Sequence, residues 1–277
     1  MRIDAHQHFW HYAAADYPWI GPGMAALARD HLPADLAPAL AAREFDGCIA
    51  VQARSSRAET DFLLALAERH EFVRGVVGWL DLCAPDAPTA VAGLARQPRL
   101  RGLRHIVQDE PDDQFLARPD FRRGVAALAA HDLVYDVLIH PRHLRAAAAF
   151  CAALPDVRFV LDHLAKPFIA RGEHQPWADE LRQLARLPNV HCKVSGLVTE
   201  ARWHAWRQDD FTFYLDTALA AFGPERLLFG SDWPVCLLAA RDHAEVHDLV
   251  AAWANRLTPH ERAGLFGGNA VHLYQLS

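Results

Sequence analysis

Eight segments rich in Val, Ile, Leu and Phe, each followed by a helical stretch, predict an α/β fold: a single-domain (β/α)8 TIM barrel over residues 1–277. Spacing supports this. A barrel of about 250 residues allots about 31 residues to each unit. The expected strand ends at His8, Gln52, Trp79, His105, His140, His163, Ser195 and Asp232 recur on that scale. Composition agrees: the chain is 52% hydrophobic and 22% charged, as suits a packed globule rather than a disordered chain. No linker, low-complexity tract or charge block divides it.

The predicted strands cover residues 2–8, 47–52, 73–80, 100–107, 133–140, 158–163, 190–196 and 227–232. Most are bounded by Pro, Gly, Asp or Asn. Helical stretches lie between them. In "AETDFLLALAERHE", Phe62, Leu63, Leu66 and Ala67 form one apolar stripe with charges opposite. "RPDFRRGVAALAAHD" opens on Pro and Asp, as helix N-termini prefer. In "CAALPDVRFV" a helix stops at Pro155 before a strand begins. A long loop from Phe9 to about Pro33 carries Trp10, Tyr12, Tyr17, Pro18 and Trp19. It reads either as a wall of the active site or as an apolar patch on the barrel rim.

The formal net charge of -6 gives no basic field for nucleic acid. No signal-like segment and no bilayer-length apolar run is visible, so no membrane partner is expected. The five cysteines, Cys48, Cys83, Cys151, Cys192 and Cys236, are scattered without a CxxC pair. They read as free thiols in a reducing cytoplasm. Nothing in the sequence specifies an oligomer.

The chemistry gathers at the strand ends, where a barrel of this kind carries its active site. "MRIDAHQHFW" places His6 and His8 two residues apart, hence on one face of the first strand. "YDVLIHP" ends the fifth strand in His140. "VLDHLAKP" ends the sixth in Asp162, His163 and Lys166, and "LLFGSDWPV" ends the eighth in Ser231, Asp232 and Trp233. Half of the strands thus end in residues suited to bind a metal or move protons.

The segments "DAHQHFW", "LDHLAKP", "GSDWPV" and "FGGNAVHLY" resemble the amidohydrolase superfamily. Within it, the chain is similar to the sugar-acid lactonases, closest to the L-fuconolactonases and L-rhamnonolactonases, from first strand to last helix. This resemblance implies a (β/α)8 barrel and hydrolysis by an activated water. It places His6, His8 and Asp232 at positions that bind metal or the attacking water and His163 at one that binds metal or a substrate oxygen, with His140 where some members have a fifth-strand ligand. Two-metal members bridge their ions through a fourth-strand Lys or Glu. Here that strand reads "LRGLRHIVQDE", with Arg104 and His105 at its end. The expectation is therefore one divalent metal, zinc by its imidazole and carboxylate ligands. Some relatives resemble enzymes that act without metal.

A lactonase needs a nucleophilic water, a stabilised oxyanion and a protonated leaving oxygen. Asp232 is the expected general base, with His163 and Arg104 as further catalytic groups. Trp10, Trp79 and Trp233 are expected to stack on a sugar ring, and Gln52, Arg54 and Arg104 to bond its hydroxyls. Several residues carry a plainer alternative. Asp232 can cap a turn, His163 can be a core histidine and His140 a loop residue. His105 points opposite Arg104 on an ideal strand. Lys166 can meet substrate or pair with a surface carboxylate. Lys193 and Ser195 can line the pocket or belong to a buried ion pair. The expected partner is a small sugar lactone, opened to its aldonic acid. The alternatives are a hydrolase or decarboxylase acting on a carboxylated lactone or aromatic acid, and a non-catalytic ligand-binding barrel.

Overall fold

A computed structural model describes residues 1–277. The strands are β1 (Ile3–Gln7), β2 (Gly47–Val51), β3 (Val73–Gly78), β4 (Leu100–Ile106), β5 (Val134–Leu138), β6 (Arg158–Leu161), β7 (Val190–Val194) and β8 (Leu227–Phe229). All eight pair in parallel, in sequence order. Every predicted strand forms. Each ends one to three residues earlier than the apolar run suggests. Past the ladder, His8, His163 and Asp232 carry their side chains to the cavity at the mouth.

Helices follow the strands: α1 (Pro33–Ala42), α2 (Arg57–Arg69), α3 (Ala87–Leu94), α4 (Pro119–Ala126), α5 (Leu144–Ala152) and α6 (Trp177–Ala185). The short α7 (Leu197–Glu200) and the longer α8 (Asp209–Phe222) both follow β7. After β8 come α9 (His243–Trp253), α10 (Pro259–Ala263) and α11 (Asn269–Leu273). Pro33, Pro119 and Pro259 start their helices, where a missing N–H costs nothing. In α2, Leu63, Leu66 and Ala67 are buried as the stripe requires. No helix is long and apolar enough to cross a membrane.

Most of the apolar core lies between sheet and helices, in a cluster of 68 buried residues. A second cluster of 12 fills the barrel's lower interior with Ile3, Ala5, Val51, Val77, Val134, Val160 and Leu228, closed from below by Leu273 and Tyr274. The upper interior is left to polar side chains.

The barrel closes between β8 and β1. Ser231 N donates to Asp4 Oδ1 at 2.9 Å, Asp232 N to the His6 carbonyl at 2.8 Å, and His8 N to the Trp233 carbonyl at 2.7 Å. Asp4 thus stands in for a ladder partner, and His243 on α9 holds its other oxygen at 3.1 Å. The register of β1 against β2 shifts between Asp4 and Gln7. Such an irregularity re-aims side chains. Here Ala5 joins the interior cluster while His6 also reaches the interior polar groups.

Candidate active site

Three imidazoles and one carboxylate meet at the mouth. The Nε2 atoms of His8, His6 and His163 lie 3.3, 3.7 and 4.0 Å from Asp232 Oδ1. Each ring is fixed at its other nitrogen. His8 Nδ1 donates to the Val51 carbonyl at 2.8 Å, His163 Nδ1 meets Ser195 Oγ at 2.8 Å, and His6 Nδ1 lies 3.3 Å from Asp162 Oδ1. These partners assign Nε2 as the nitrogen presented to the site in each ring.

The backbone makes unusual shapes to achieve this. From His163 to Lys166, four consecutive non-glycine residues take φ of 55, 52, 59 and 54°. L-residues disfavour that left-handed region. Asp232 also sits there, at φ 57°. Two glycines make room. A Cβ on Gly196 would come within 2.4 Å of His163 Nδ1, and one on Gly230 within 2.5 Å of His6 Cβ. Gly196 moreover has φ +61°.

Beneath the histidines lies a buried ionic network. Lys193 Nζ contacts Asp136 Oδ2 at 2.5 Å, Asp162 Oδ1 at 3.1 Å and His6 Nδ1 at 3.2 Å. Tyr274 donates to Asp136 Oδ1 at 2.9 Å from the barrel floor. Arg104 Nη1 donates to Asp162 Oδ2 at 2.9 Å and to His6 Nε2 at 3.3 Å. Arg104 Nη1 and Lys193 Nζ, both donors only, approach opposite nitrogens of His6, and a neutral imidazole accepts from one of them at a time. Two carboxylates thus meet two permanent cations, and both members of each pair are nearly sealed from water.

Burial dominates the titration. It lowers His163 to about 4 and holds His6 well below its ordinary value, so these imidazoles are neutral at pH 7. Burial raises Asp136 to about 6, against the pull of Lys193. For Asp232 burial also works upward, but His163, His8 and His6 outweigh it and hold the carboxyl below the usual range.

This donor set fits a divalent cation. The atoms of His6, His8 and Asp232 lie within 4.8 Å of one another, as do those of His6, Asp162 and His163. Tetrahedral zinc with bonds near 2.0–2.1 Å separates its ligand atoms by about 3.3 Å. The His8–Asp232 spacing already matches, and neutral imidazoles with one carboxylate are suitable ligands.

Above these groups opens a cavity of about 210 Å³, lined by His8, Arg104, His163, Lys166 and Asp232, with Trp19, Ala53, Ile106, Gln108, Asp109, Leu138 and Val235 completing the wall. Of the residues expected to bind sugar, Arg104 alone reaches this wall. Gln52 is fully buried and donates to the Arg104 carbonyl at 3.2 Å. Trp10 packs behind the wall with Tyr17, Ile20, Leu27, Ala53 and Leu238. Arg54 pairs with Asp16 at 2.5 Å and stacks on Tyr17. Trp79 donates to His105 Nδ1 at 3.2 Å, and Trp233 packs against His31 and Phe9. These large side chains are drawn into packing because the apolar area they bury outweighs exposure at a wet mouth.

The remaining expectations divide. His140 stands outside the carboxylate–imidazole cluster, in a neighbouring cleft with Arg142 and Phe168. His105 points away from Arg104 and binds Glu110 at 2.6 Å. Lys193 belongs to the buried ionic network, and Ser195 supports His163. The long aromatic loop splits its roles: Trp19 lines the cavity while Trp10 and Tyr17 anchor it.

Sequence reasoning missed Gln108 and Asp109. They lie just past the end of β4, and strand ends plus three residues would have included them. It also missed Asp4 and Asp136, which look like ordinary strand-interior acids. Gln108 Oε1 and Trp19 Nε1 are buried without hydrogen-bond partners, and both side chains line the cavity. Both atoms are sealed from solvent, so an unsatisfied acceptor and an unsatisfied donor lie just behind the cavity surface.

A family profile described as Amidohydrolase matches residues 3–276. The chain belongs to the amidohydrolase family. Among curated amidohydrolase relatives, an L-fucono-1,5-lactonase of Burkholderia multivorans is 52% identical over all of this chain and 96% of its own length. An L-fucono-1,5-lactonase of Burkholderia ambifaria is 43% identical, with the same coverage. A crystal structure of an amidohydrolase from Burkholderia multivorans with bound zinc superposes with a TM-score of 0.95, at 52% identity, over the whole of both chains.

Proposed function

We propose that this amidohydrolase acts as one domain over residues 1–277 and opens a sugar aldonolactone of the L-fucono-1,5-lactone type to its aldonic acid. The observation that carries the reading is the Asp232 carboxylate, set on the cavity wall against three imidazoles that are each fixed at Nδ1. The two lactonase relatives support the substrate class. A cavity whose wall mixes Gln108, Asp109, Lys166 and Asp232 with Trp19 and aliphatic side chains suits a polyol. A carboxylated substrate would call for several free cations, and Arg104 is committed to Asp162, His6 and Gln52.

A divalent ion, zinc by the chemistry of the donors, would be held by His6, His8, His163 and Asp232 and would acidify water and polarise a carbonyl. Asp232 turns Oδ1 to the imidazoles, which leaves its second oxygen for water. That oxygen takes a proton as the water oxygen bonds to the lactone carbonyl carbon. The C=O electron pair moves to the carbonyl oxygen. When it returns, the bond from carbon to the ring oxygen breaks, and Asp232 delivers its proton to that oxygen. The new acid then loses a proton to solvent, so lactone and water give aldonate and one proton. His163, held by Ser195, keeps a neutral imidazole beside the reacting carbon.

We place the enzyme in the cytoplasm. Its five cysteines are unpaired, which fits a reducing compartment. The test is acid release, followed with a pH indicator, from aldonolactones of both ring sizes. Opening of L-fucono-1,5-lactone well above its spontaneous rate is expected. Failure of folded, zinc-loaded protein to open any of them would overturn the reading.

A further inference from the structure

The cavity wall carries two permanent cations, and one is already spent. Arg104 is 3% exposed. Its Nη1 serves Asp162 and His6, and its Nη2 serves the Gln52 backbone carbonyl and Gln52 Oε1. Its Nε is sealed from solvent without a partner. Three of its terminal N–H groups are thus held by Asp162 and Gln52, and the fourth faces His6.

Lys166 lies on the same wall under opposite conditions. Its ammonium makes no hydrogen bond and has no carboxylate oxygen within salt-bridge distance, and it is not among the sealed polar atoms. It is held there by the left-handed turn that also delivers His163. Lys166 N donates to the His163 carbonyl at 2.7 Å, and Trp177 Nε1 pins the Leu164 carbonyl at 2.7 Å. A four-residue run in a disfavoured backbone region is kept where surrounding structure over-determines it, and such strain gathers at functional sites.

The reaction proposed above turns a neutral lactone into an anion. Negative charge builds first on the carbonyl oxygen and ends on the carboxylate. The wall otherwise presents two acids, Asp232 and Asp109. We propose that Lys166 is a catalytic residue, its ammonium meeting the charge that builds on the lactone carbonyl oxygen and then holding the product carboxylate. The inference rests on the lactonase reading.

The experiment uses the full-length, zinc-loaded protein with Lys166→Asn, Lys166→Met and Lys166→Arg. Asn tolerates the left-handed region, so it removes the charge while sparing the turn. Zinc content and thermal midpoint are followed in each. Turnover of L-fucono-1,5-lactone and competitive inhibition by L-fuconate are the readouts. The two neutral variants are expected to lose about 10- to 100-fold in kcat, to bind L-fuconate at least about tenfold more weakly, and to keep their zinc. Lys166→Arg is expected to keep most of both. Neutral variants within twofold of wild type in both readouts would overturn the inference while the lactonase reading stands. Wild-type protein inert toward the lactone would overturn that reading and this inference with it.

Discussion

His8 and Asp232, 224 positions apart in the chain, meet across the seam that closes the barrel, with His8 Nε2 3.3 Å from Asp232 Oδ1. The same seam carries the hydrogen bonds from Asp232 N to the His6 carbonyl and from His8 N to the Trp233 carbonyl. Closing the fold and assembling the site are therefore one event. Asp232→Asn keeps the side-chain shape and removes the base. It is expected to lower kcat about 10²- to 10⁴-fold with little change in KM. Steady-state kinetics check this, and an effect confined to KM would reassign Asp232 to binding.

His8 is held from behind by the Val51 carbonyl at 2.8 Å, so its Nε2 is preset for a metal. His8→Ala removes one donor and unpairs that carbonyl. Zinc content measured by elemental analysis is expected to fall well below that of wild type under equal loading. Full retention would remove His8 from the ligand set.

Lys193 is completely buried and serves both Asp136 and Asp162. Lys193→Met would leave Asp162 with Arg104 as its one paired cation and Asp136 with the Tyr274 hydroxyl and no paired cation. Breaking a buried pair on one side costs about 3–5 kcal/mol. Urea unfolding is expected to show a loss of that size, partly recovered by adding Asp136→Asn. A loss below about 1 kcal/mol would mean that water reaches the network.

Glu59 offers a test by pH. Its Oε2 accepts from Ala53 N at 3.0 Å and Arg54 N at 2.9 Å, and its Oε1 from Tyr17 OH at 3.1 Å. Burial raises its pKa from 4.5 to about 7, against those two backbone donors and Tyr17. The folded state therefore keeps a proton that the unfolded chain has lost. The stability this proton confers is full below 4.5 and is lost as pH rises through about 7. Comparing thermal midpoints, Glu59→Gln is expected to gain on wild type as pH rises across that window and to hold its gain above it. A midpoint difference independent of pH would show that Glu59 does not titrate there.

Much of this was legible in one sequence because its signals are local. Strand starts at Gly47, Val73, Leu100, Arg158, Val190 and Leu227 follow from apolar runs after turn residues. The pairing of His6 with His8 follows from the two-residue period of a strand, and the spacing of the units sets the barrel. The wall of the cavity was less accessible. Trp10, Trp79 and Trp233 sit near strand ends in sequence, yet each is taken up by packing or by a neighbouring histidine. Gln108, with no periodic pattern to mark it, lies on the cavity wall, as does Lys166, which the sixth-strand segment left open between a substrate and a surface carboxylate.

By itself, then, the sequence determined the eight-unit alternation and the reactive side chains waiting at the mouths of β1, β6 and β8, because periodicity and residue chemistry are properties of short segments. Tertiary structure decided the rest. The register shift in β1, the left-handed turn after β6 and the seam at Asp4 chose which atoms converge. Competition for buried partners spent Arg104 on Asp162 and left Lys166 free. Which charge is satisfied inside the fold and which is left for a substrate depends on contacts between residues far apart in the chain, and only closure of the barrel settles them.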